Sequence, residues 1–252
     1  MISKFKKKPT RKIINKYFKI YIFDNFLEKK IAKKISKSFF PYSSNIYLSY
    51  ENPAELKKTC NDWNSFPKEV YEFYHSVNSN NFSEWIKDLT DLNINLDIGL
   101  HGGGMHIHKK GGYLNPHVDY LLHPKIKQIR KYNLILYIDE NYKKEYGGNL
   151  GFWLNKNGKL KLEYEIEPLF NRMVLFDTEN VLHGLSNKFQ PKKKCFRKSL
   201  AAYYTIEKNI QNNNLRQRAK FFPRENQKIK EFEEFSKKRS DKSNFKKYYI
   251  LK

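Results

Sequence analysis

The sequence predicts an α+β protein in which helices from the front of the chain pack on a jelly roll of short strands. From about residue 97 the chain consists of short β-like runs separated by Gly, Asn and Pro. Before that point, apolar residues recur at the spacing of a helix, and after Thr205 the chain becomes charged and amphipathic. Many short strands joined by tight turns are typical of an all-β sandwich or barrel, on which helices pack from outside.

The front of the chain predicts one strand and three helices. Residues 17–24 alternate in polarity and are rich in β-forming side chains, which predicts a strand. Apolar residues at intervals of three and four predict helices over residues 27–40, 70–77 and 82–92. We expect these elements to form a flank, residues 1–96, that packs on the barrel.

The jelly-roll core is predicted to span residues 97–207. Its expected strands are residues 99–108, 132–138, 150–154, 160–166, 173–176 and 200–205. Asn157-Gly158 lies between two of these runs, and this dipeptide is typical of a two-residue hairpin turn. Residues 208–252 are predicted to form a basic C-terminal extension with an amphipathic helix over 228–238.

The formal charge of +23 lies mainly at the two ends of the chain. Residues 1–40 contain 13 Lys and Arg against 2 Asp and Glu, and residues 206–252 contain 14 against 6. Residues 41–205 contain 22 against 18. A lysine-rich surface that selects no partner explains this pattern, and weak binding of an anionic partner by the termini is the alternative.

Cysteine usage and hydropathy bear on the compartment. Cys60 and Cys195 match no zinc or redox spacing, so we expect no disulfide and a reducing, cytoplasmic location. No stretch approaches 18 uncharged apolar residues, so we expect no membrane span. The apolar run near the N-terminus is interrupted by charge and lacks a small-residue cleavage site, which argues against a signal peptide.

A group of metal-binding residue types lies within the predicted core. His117 and Asp119 are two residues apart, and in an extended chain that spacing points both side chains to one face. His183 follows the predicted strand 173–176. Two histidines and one carboxylate leave positions open on Fe(II) for a co-substrate and dioxygen. Arg197 begins a further β-like run, where its guanidinium is suited to bind a carboxylate through two hydrogen bonds.

These residues resemble the iron(II)- and 2-oxoglutarate-dependent dioxygenases of the prolyl 4-hydroxylase type. The resemblance covers about residues 97–207. The family's Gly-Gly-aromatic and Pro-His-x-Asp stretch resembles residues 108–119, and its next strand resembles residues 132–139. The family's distal histidine and Arg-x-Ser strand resemble His183 and residues 197–199.

The resemblance implies a double-stranded β-helix, cupin-like fold and a set of site residues. The implied catalytic residues are His117, Asp119 and His183 as ligands of Fe(II), with Arg197 as partner of the distal carboxylate of 2-oxoglutarate. Tyr137, Ser199 and Asn133 are the further residues expected to line the co-substrate pocket. The implied reaction uses O₂, releases succinate and CO₂, and draws on L-ascorbate to keep the iron reduced.

Three features of this chain limit how far the family pattern applies to it. His108 stands where many relatives have tyrosine, and the loop 186–196 is longer than usual and contains Lys192, Lys193 and Lys194. This loop either covers the site or is solvated. Arg197 stands where animal collagen-type prolyl hydroxylases use lysine, so the resemblance does not single out collagen-like substrates. His101, His106 and His108 are expected to pack or to support the site rather than to bind metal.

The expected activity is hydroxylation of an unactivated C–H bond, with a peptidyl proline as the leading substrate. A small molecule, a sugar or a nucleic-acid base is the alternative substrate on the same fold. A non-catalytic, polyanion-binding cupin-like module is the alternative function. An enzyme is expected to lose function in the variant His183→Ala and to keep it when residues 1–16 and 208–252 are removed, whereas the polyanion-binding module is expected to behave in the opposite way.

Overall fold

The computed structural model of the chain describes residues 5–6, 8–208, 215–216, 218–225 and 227–240. Four α-helices lie in this part of the chain: α1 (Lys29–Ser38), α2 (Lys68–Val77), α3 (Asn80–Thr90) and α4 (Ile229–Ser240). The strands are β1 (Arg11–Ile14), β2 (Lys19–Phe23), β3 (Leu48–Asn52), β4 (Glu55–Cys60), β5 (Asn95–Leu96), β6 (Gly104–His108), β7 (Tyr113–Leu114), β8 (His117–Val118), β9 (Ile129–Tyr137), β10 (Leu150–Lys156), β11 (Lys159–Ile166), β12 (Arg172–Asp177), β13 (Leu182–Leu185), β14 (Arg197–Ile206) and β15 (Lys220–Phe221).

The strands form two antiparallel sheets. The major sheet has the order β1-β2-β12-β9-β14-β6-β4-β3, with β5 added beside β14 and β7 beside β4. The minor sheet has the order β11-β10-β13-β8-β15. Apart from the hairpins β1–β2, β3–β4 and β10–β11, neighbours in both sheets are distant in sequence, which is the crossing connectivity of a jelly roll. The predicted α+β class, with a double-stranded β-helix and helices from the front of the chain, is confirmed.

The alternation of side chains along β9 separates two apolar cores. Leu134 and Leu136 lie in a large cluster with residues of α1, α2 and α3, outside the barrel. Ile135 and Tyr137 point the other way, into a cluster between the two sheets that includes Phe152 of β10. The helices therefore cover the outer face of the major sheet. Its inner face contacts the second apolar cluster and carries the polar residues described below.

The three predicted helices of the front are confirmed, and most of their ends lie two residues from the predicted position. The β3–β4 hairpin was missed, because its strands contain Lys57 and Lys58 and lack a run of apolar residues. The predicted strand 99–108 is shorter than expected. Residues 100–103 instead form a turn, closed by a hydrogen bond from Gly103 N to Leu100 O (2.8 Å).

The hairpin at Asn157-Gly158 is confirmed. Lys156 and Lys159 pair across it, and both central residues have positive φ, 53° for Asn157 and 82° for Gly158. In the C-terminal extension, α4 begins one residue after the predicted helix start. No helix of the described residues is long and apolar enough to cross a membrane.

Gly104 offers a test of the close approach between β6 and β4. A Cβ atom at this position would lie 2.1 Å from Cys60 O, and its φ of 97° is in the region that favours glycine. We expect Gly104→Ala to lower the free energy of unfolding by at least about 3 kcal/mol, from overpacking and a left-handed backbone. Gly158→Ala is the matched control, because its φ is 82° but no atom lies within 4 Å of its Cβ position. There we expect a loss of about 1 kcal/mol. Urea denaturation of both variants measures the difference, and equal losses would contradict the packing argument.

Candidate active site

His117, Asp119 and His183 come together at the centre of the minor sheet. β8 and β13 pair at one position, which places His183 opposite His117 with their ring centroids 4.3 Å apart. Asp119 follows β8 directly and points to the same side. One candidate ligand atom from each of the three side chains lies within 4.8 Å of the others. All three residues are buried, with exposures of 6%, 6% and 3%.

The two histidines share one hydrogen-bonding arrangement. His117 Nδ1 lies 3.0 Å from Asn115 O, and His183 Nδ1 lies 3.1 Å from Val181 O. A carbonyl oxygen only accepts hydrogen bonds, so each Nδ1 carries a proton, and in a neutral ring this leaves the lone pair on Nε2. Burial, followed by the charge of His117, lowers the pKa of His183 to about 4. His183 is therefore neutral near pH 7 and presents a basic nitrogen to Asp119.

The Asp119 carboxylate lies between the two Nε2 atoms but forms no hydrogen bond with either of them. Its Oδ1 is 3.6 Å from His117 Nε2 and its Oδ2 is 3.7 Å from His183 Nε2, both longer than a hydrogen bond. Oδ2 is buried and accepts no hydrogen bond from the described residues. Burial alone would raise the pKa of Asp119, but the electrostatic interaction with His183, the contact with His117 and the charge of Arg130 outweigh it and hold the pKa below its usual value.

This donor set fits a divalent transition metal. Three buried atoms with lone pairs converge on one point and do not pair with one another, which leaves a cation as the partner that satisfies them all. Two neutral imidazoles and one carboxylate on one side of a metal suit Fe(II) and leave coordination positions open. No other group of three such side chains is found in the described part of the chain.

Arg197 and Tyr137 form a second polar group between the sheets. Arg197 Nε donates to Gly148 O (2.7 Å), and its guanidinium carbon lies 4.9 Å from the centroid of the Tyr137 ring. The Tyr137 hydroxyl is buried and has no hydrogen-bond partner in the part of the chain that the structure describes. No carboxylate of the described residues lies within ion-pair distance of Arg197, although its exposure is 4%. A buried cation beside a free hydroxyl fits the carboxylate of a small acid such as 2-oxoglutarate.

The other residues expected in this pocket lie near the same pair of strands. Ser199 pairs with Tyr137 across β14 and β9. Asn133 lies four residues before Tyr137 on β9, buried, with an Oδ1 atom that has no partner among the described residues. His108 pairs with Arg197, and both of its ring nitrogens are buried and unpartnered. Burial, and then the charge of Arg197, hold the pKa of His108 well below its usual value, so it is neutral.

Arg130, which no sequence pattern indicated, lies beside His117, Asp119 and His183. Its guanidinium carbon is 3.5 Å from the ring centroids of both Tyr120 and Tyr203, and its Nη1 is 3.7 Å from Asp119 Oδ2. Tyr204 pairs with Tyr132 but Thr205 pairs with Arg130, so Lys131 is an extra residue in β9. This bulge turns the Arg130 side chain to the inner face of the sheet, although alternation from Tyr132 places it outside.

The long loop 186–196 packs against the turns that flank the site. Phe189 N donates to Gly112 O (2.9 Å), Gly111 N donates to Phe189 O (2.8 Å), and the Phe189 side chain is fully buried. Gly148 N donates to the side chain of Asn187 (2.6 Å), next to the carbonyl that holds Arg197. The lysines at positions 192–194 are exposed. The ends of the loop thus close the pocket around Arg197 while its lysines face solvent.

Residues 103–205 match the family model described as the 2OG-Fe(II) oxygenase superfamily. The chain is similar in structure to a prolyl-4-hydroxylase of Pseudomonas putida, with 13% identity, 75% of this chain and 92% of that chain covered, and a TM-score of 0.55. It is also similar to a prolyl hydroxylase of Trichoplax adhaerens in complex with a hypoxia inducible factor peptide fragment. That match has 16% identity, covers 74% and 83% of the two chains, and has a TM-score of 0.52. At these identities the two structures show a common fold. No curated protein matches the sequence.

The unpaired charge of Arg197 predicts an unusual effect on stability. In Arg197→Met, loss of the bond to Gly148 O is offset by removal of a buried charge without an acidic partner. We expect the free energy of unfolding of the ligand-free protein to change by less than about 1 kcal/mol. Arg172→Met is the control, because Arg172 is ion-paired with Asp24 and Glu167, and its loss is expected to destabilise by about 2 kcal/mol. A large destabilisation by Arg197→Met would mean that this guanidinium is already satisfied in the ligand-free protein.

Proposed function

We propose that His117, Asp119 and His183 bind Fe(II) and that Arg197 binds 2-oxoglutarate, because residues 103–205 match the family model of the 2OG-Fe(II) oxygenase superfamily. The protein is then a dioxygenase that hydroxylates an unactivated C–H bond. The observation that carries this proposal is the buried group of two imidazoles and one carboxylate that converge on one point without hydrogen bonds between them. The catalytic core proposed for this activity is residues 97–207, with residues 1–96 and 208–252 as flanks.

Bound Fe(II) would supply the oxidative chemistry, in which O₂ and 2-oxoglutarate are consumed and succinate, CO₂ and an alcohol are formed. The chain's own contribution is position and charge. The Nδ1–H bonds of the two histidines fix which nitrogen faces the metal. Arg197 and the free hydroxyl of Tyr137 hold the distal carboxylate of the co-substrate, and Ser199 and Asn133 line the same pocket. L-ascorbate is proposed to keep the iron reduced.

For the primary substrate we propose a peptidyl proline. The support is the spacing of the Gly-Gly-Tyr and Pro-His-Val-Asp stretch in residues 111–119, and the fact that two proteins of the same fold are prolyl hydroxylases by name. A small molecule, a sugar or a nucleic-acid base would be the result of the substrate screen if peptides fail. The anionic partner of the basic termini and the cytoplasmic location stay predictions.

The proposed metal centre is tested by Fe(II) and 2-oxoglutarate binding without oxygen, followed by succinate release when oxygen is admitted. Wild-type protein is expected to bind both and to form succinate, whereas Asp119→Asn is expected to lose at least about 100-fold of the activity, because the ligand charge is removed. Asp177→Asn is the matched control: this carboxylate is also buried, but it is paired with Lys131 at 2.6 Å and is not one of the three side chains that converge at the proposed metal site. Its activity should stay within about twofold of wild type. Wild-type protein that binds neither iron nor 2-oxoglutarate would refute the proposal.

Peptide pairs that differ only by proline or alanine at one position test the substrate. We expect the proline peptide alone to increase succinate formation and to gain the mass of one oxygen atom at that proline, because hydroxylation is coupled to decarboxylation. Mass spectrometry of the peptide and a succinate assay are read in the same reaction. If wild type forms succinate and every proline peptide leaves its rate unchanged, the enzyme is an oxygenase of another substrate class.

A further inference from the structure

The described residues of 215–227, here termed the C-terminal strap, run beside the strand that carries His117. β15 pairs with β8 so that Phe221 lies opposite His117, and Phe222 N donates to Pro116 O (2.8 Å). Without β15, the two-residue strand β8 would be the edge of the minor sheet. An edge strand this short has few hydrogen bonds to fix its position.

Phe221 lies flat on the His117 imidazole. The ring centroids are 4.8 Å apart and the ring planes differ by 18°. Behind Phe221, the guanidinium carbon of Arg239 lies 4.4 Å from its ring centroid, and Arg239 is ion-paired with buried Glu55 at 3.0 Å. The Phe221 ring therefore restrains the His117 imidazole against rotation, and the contact with Arg239 in turn holds the Phe221 ring.

The strap also holds the backbone around Asp119. Arg216 Nε donates to Asp119 O (2.6 Å), and Arg216 O accepts from the backbone N–H groups of Leu121 and Leu122 at 2.7 and 3.1 Å. Asp119 lies in the turn after β8, outside the sheet hydrogen bonds. Arg216 thus supplies the hydrogen bonds that fix this ligand's main chain.

Arg224 joins the segments that carry the two histidines. Its Nε donates to Asn115 Oδ1 (2.9 Å), and its Nη2 donates to Leu114 O (3.2 Å) and Leu185 O (3.0 Å). Asn115 is fully buried, and its carbonyl accepts the Nδ1–H bond of His117. The Asn115 amide also donates to the strap, at Phe222 O and Gln227 Oε1. The partner that orients His117 is therefore itself oriented by the strap.

We propose that the C-terminal strap positions the metal ligands, with Phe221, Arg216 and Arg224 as positioning residues of the metal centre. This inference rests on the proposed function. Its contacts converge on His117 and Asp119, whereas the Nδ1 partner of His183, Val181 O, belongs to the barrel itself. Groups that orient metal ligands from behind typically change metal affinity by 10- to 100-fold when they are removed.

Phe221 and Phe222 provide a matched pair for the test. They are neighbours on one strand, but Phe221 stacks on His117, while Phe222 packs on the outer face of the minor sheet with Val118, Trp153 and Leu182. Full-length wild type, Phe221→Ala and Phe222→Ala are titrated with Co(II) under anaerobic conditions, by calorimetry and by the visible absorption of the bound ion. We expect Phe221→Ala to bind Co(II) at least about tenfold more weakly with a changed absorption spectrum. Phe222→Ala should keep the affinity within about threefold and the wild-type spectrum.

The outcomes separate this inference from the proposed function. If wild type binds no Co(II), both the proposed metal centre and the proposed role of the strap are refuted. If wild type binds Co(II) and Phe221→Ala matches it in affinity and spectrum, the metal centre stands and the positioning role is refuted. Arg224→Met is the second variant and decides the matter if Phe221→Ala does not fold. The proposal requires it to lose at least about tenfold in Co(II) affinity, and unchanged binding overturns it.

Discussion

Two hydrogen bonds of the same form set the geometry of the candidate metal centre. In each, a histidine Nδ1–H donates to the carbonyl two residues earlier in the chain, from His117 to Asn115 and from His183 to Val181. Each bond fixes both the tautomer and the direction of the ring, so the Nε2 lone pairs meet at Asp119. β8 and β13 pair through one residue pair only. The two Nδ1–H bonds therefore hold the rings in place only if both carbonyl groups are themselves fixed. The surrounding structure supplies that constraint from two sides, the barrel for Val181 and the strap for Asn115.

Two arginines are buried inside the barrel, and they differ in whether an acidic side chain of the described residues pairs with them. Arg130, clamped between two tyrosine rings, is ion-paired with Asp119 and accounts for one positive charge. In the described part of the chain, Arg197 has no acidic partner, and the neighbouring Tyr137 hydroxyl and His108 ring nitrogens have no hydrogen-bond partner. Burial of such groups destabilises the ligand-free fold, because their hydration is lost without replacement. Under the function proposed above, an anionic co-substrate would supply the missing partners, and its binding and the stability of the fold would then depend on the same atoms.

The sequence predicted those site residues that lie close together in the chain or within a clear β-strand pattern. His117 and Asp119 are two residues apart on one strand, and Arg197 begins a run whose β-character is evident from Leu200 to Thr205. Arg130 was beyond reach, because the inserted Lys131 reverses the side-chain alternation of β9 and no sequence signal marks a bulge of this kind. The fold shows the same division. Helices and the Asn157-Gly158 hairpin follow local patterns, whereas β15 exists only because a distant segment offers β8 as a partner.

The C-terminal extension shows how composition alone misleads. Its excess of Lys and Arg was interpreted as a solvated surface or a weak anion-binding tail, and its removal was expected to leave activity intact. Three of its arginines have specific acceptors instead: Arg216 at Asp119 O, Arg224 at Asn115 and Leu185, and Arg239 at Glu55. A guanidinium that donates to backbone carbonyls keeps its positive charge while it ties chain segments together. Part of the basic character of this extension therefore fixes backbone beside the proposed metal ligands, and a net charge counted from the sequence cannot distinguish that use from solvation.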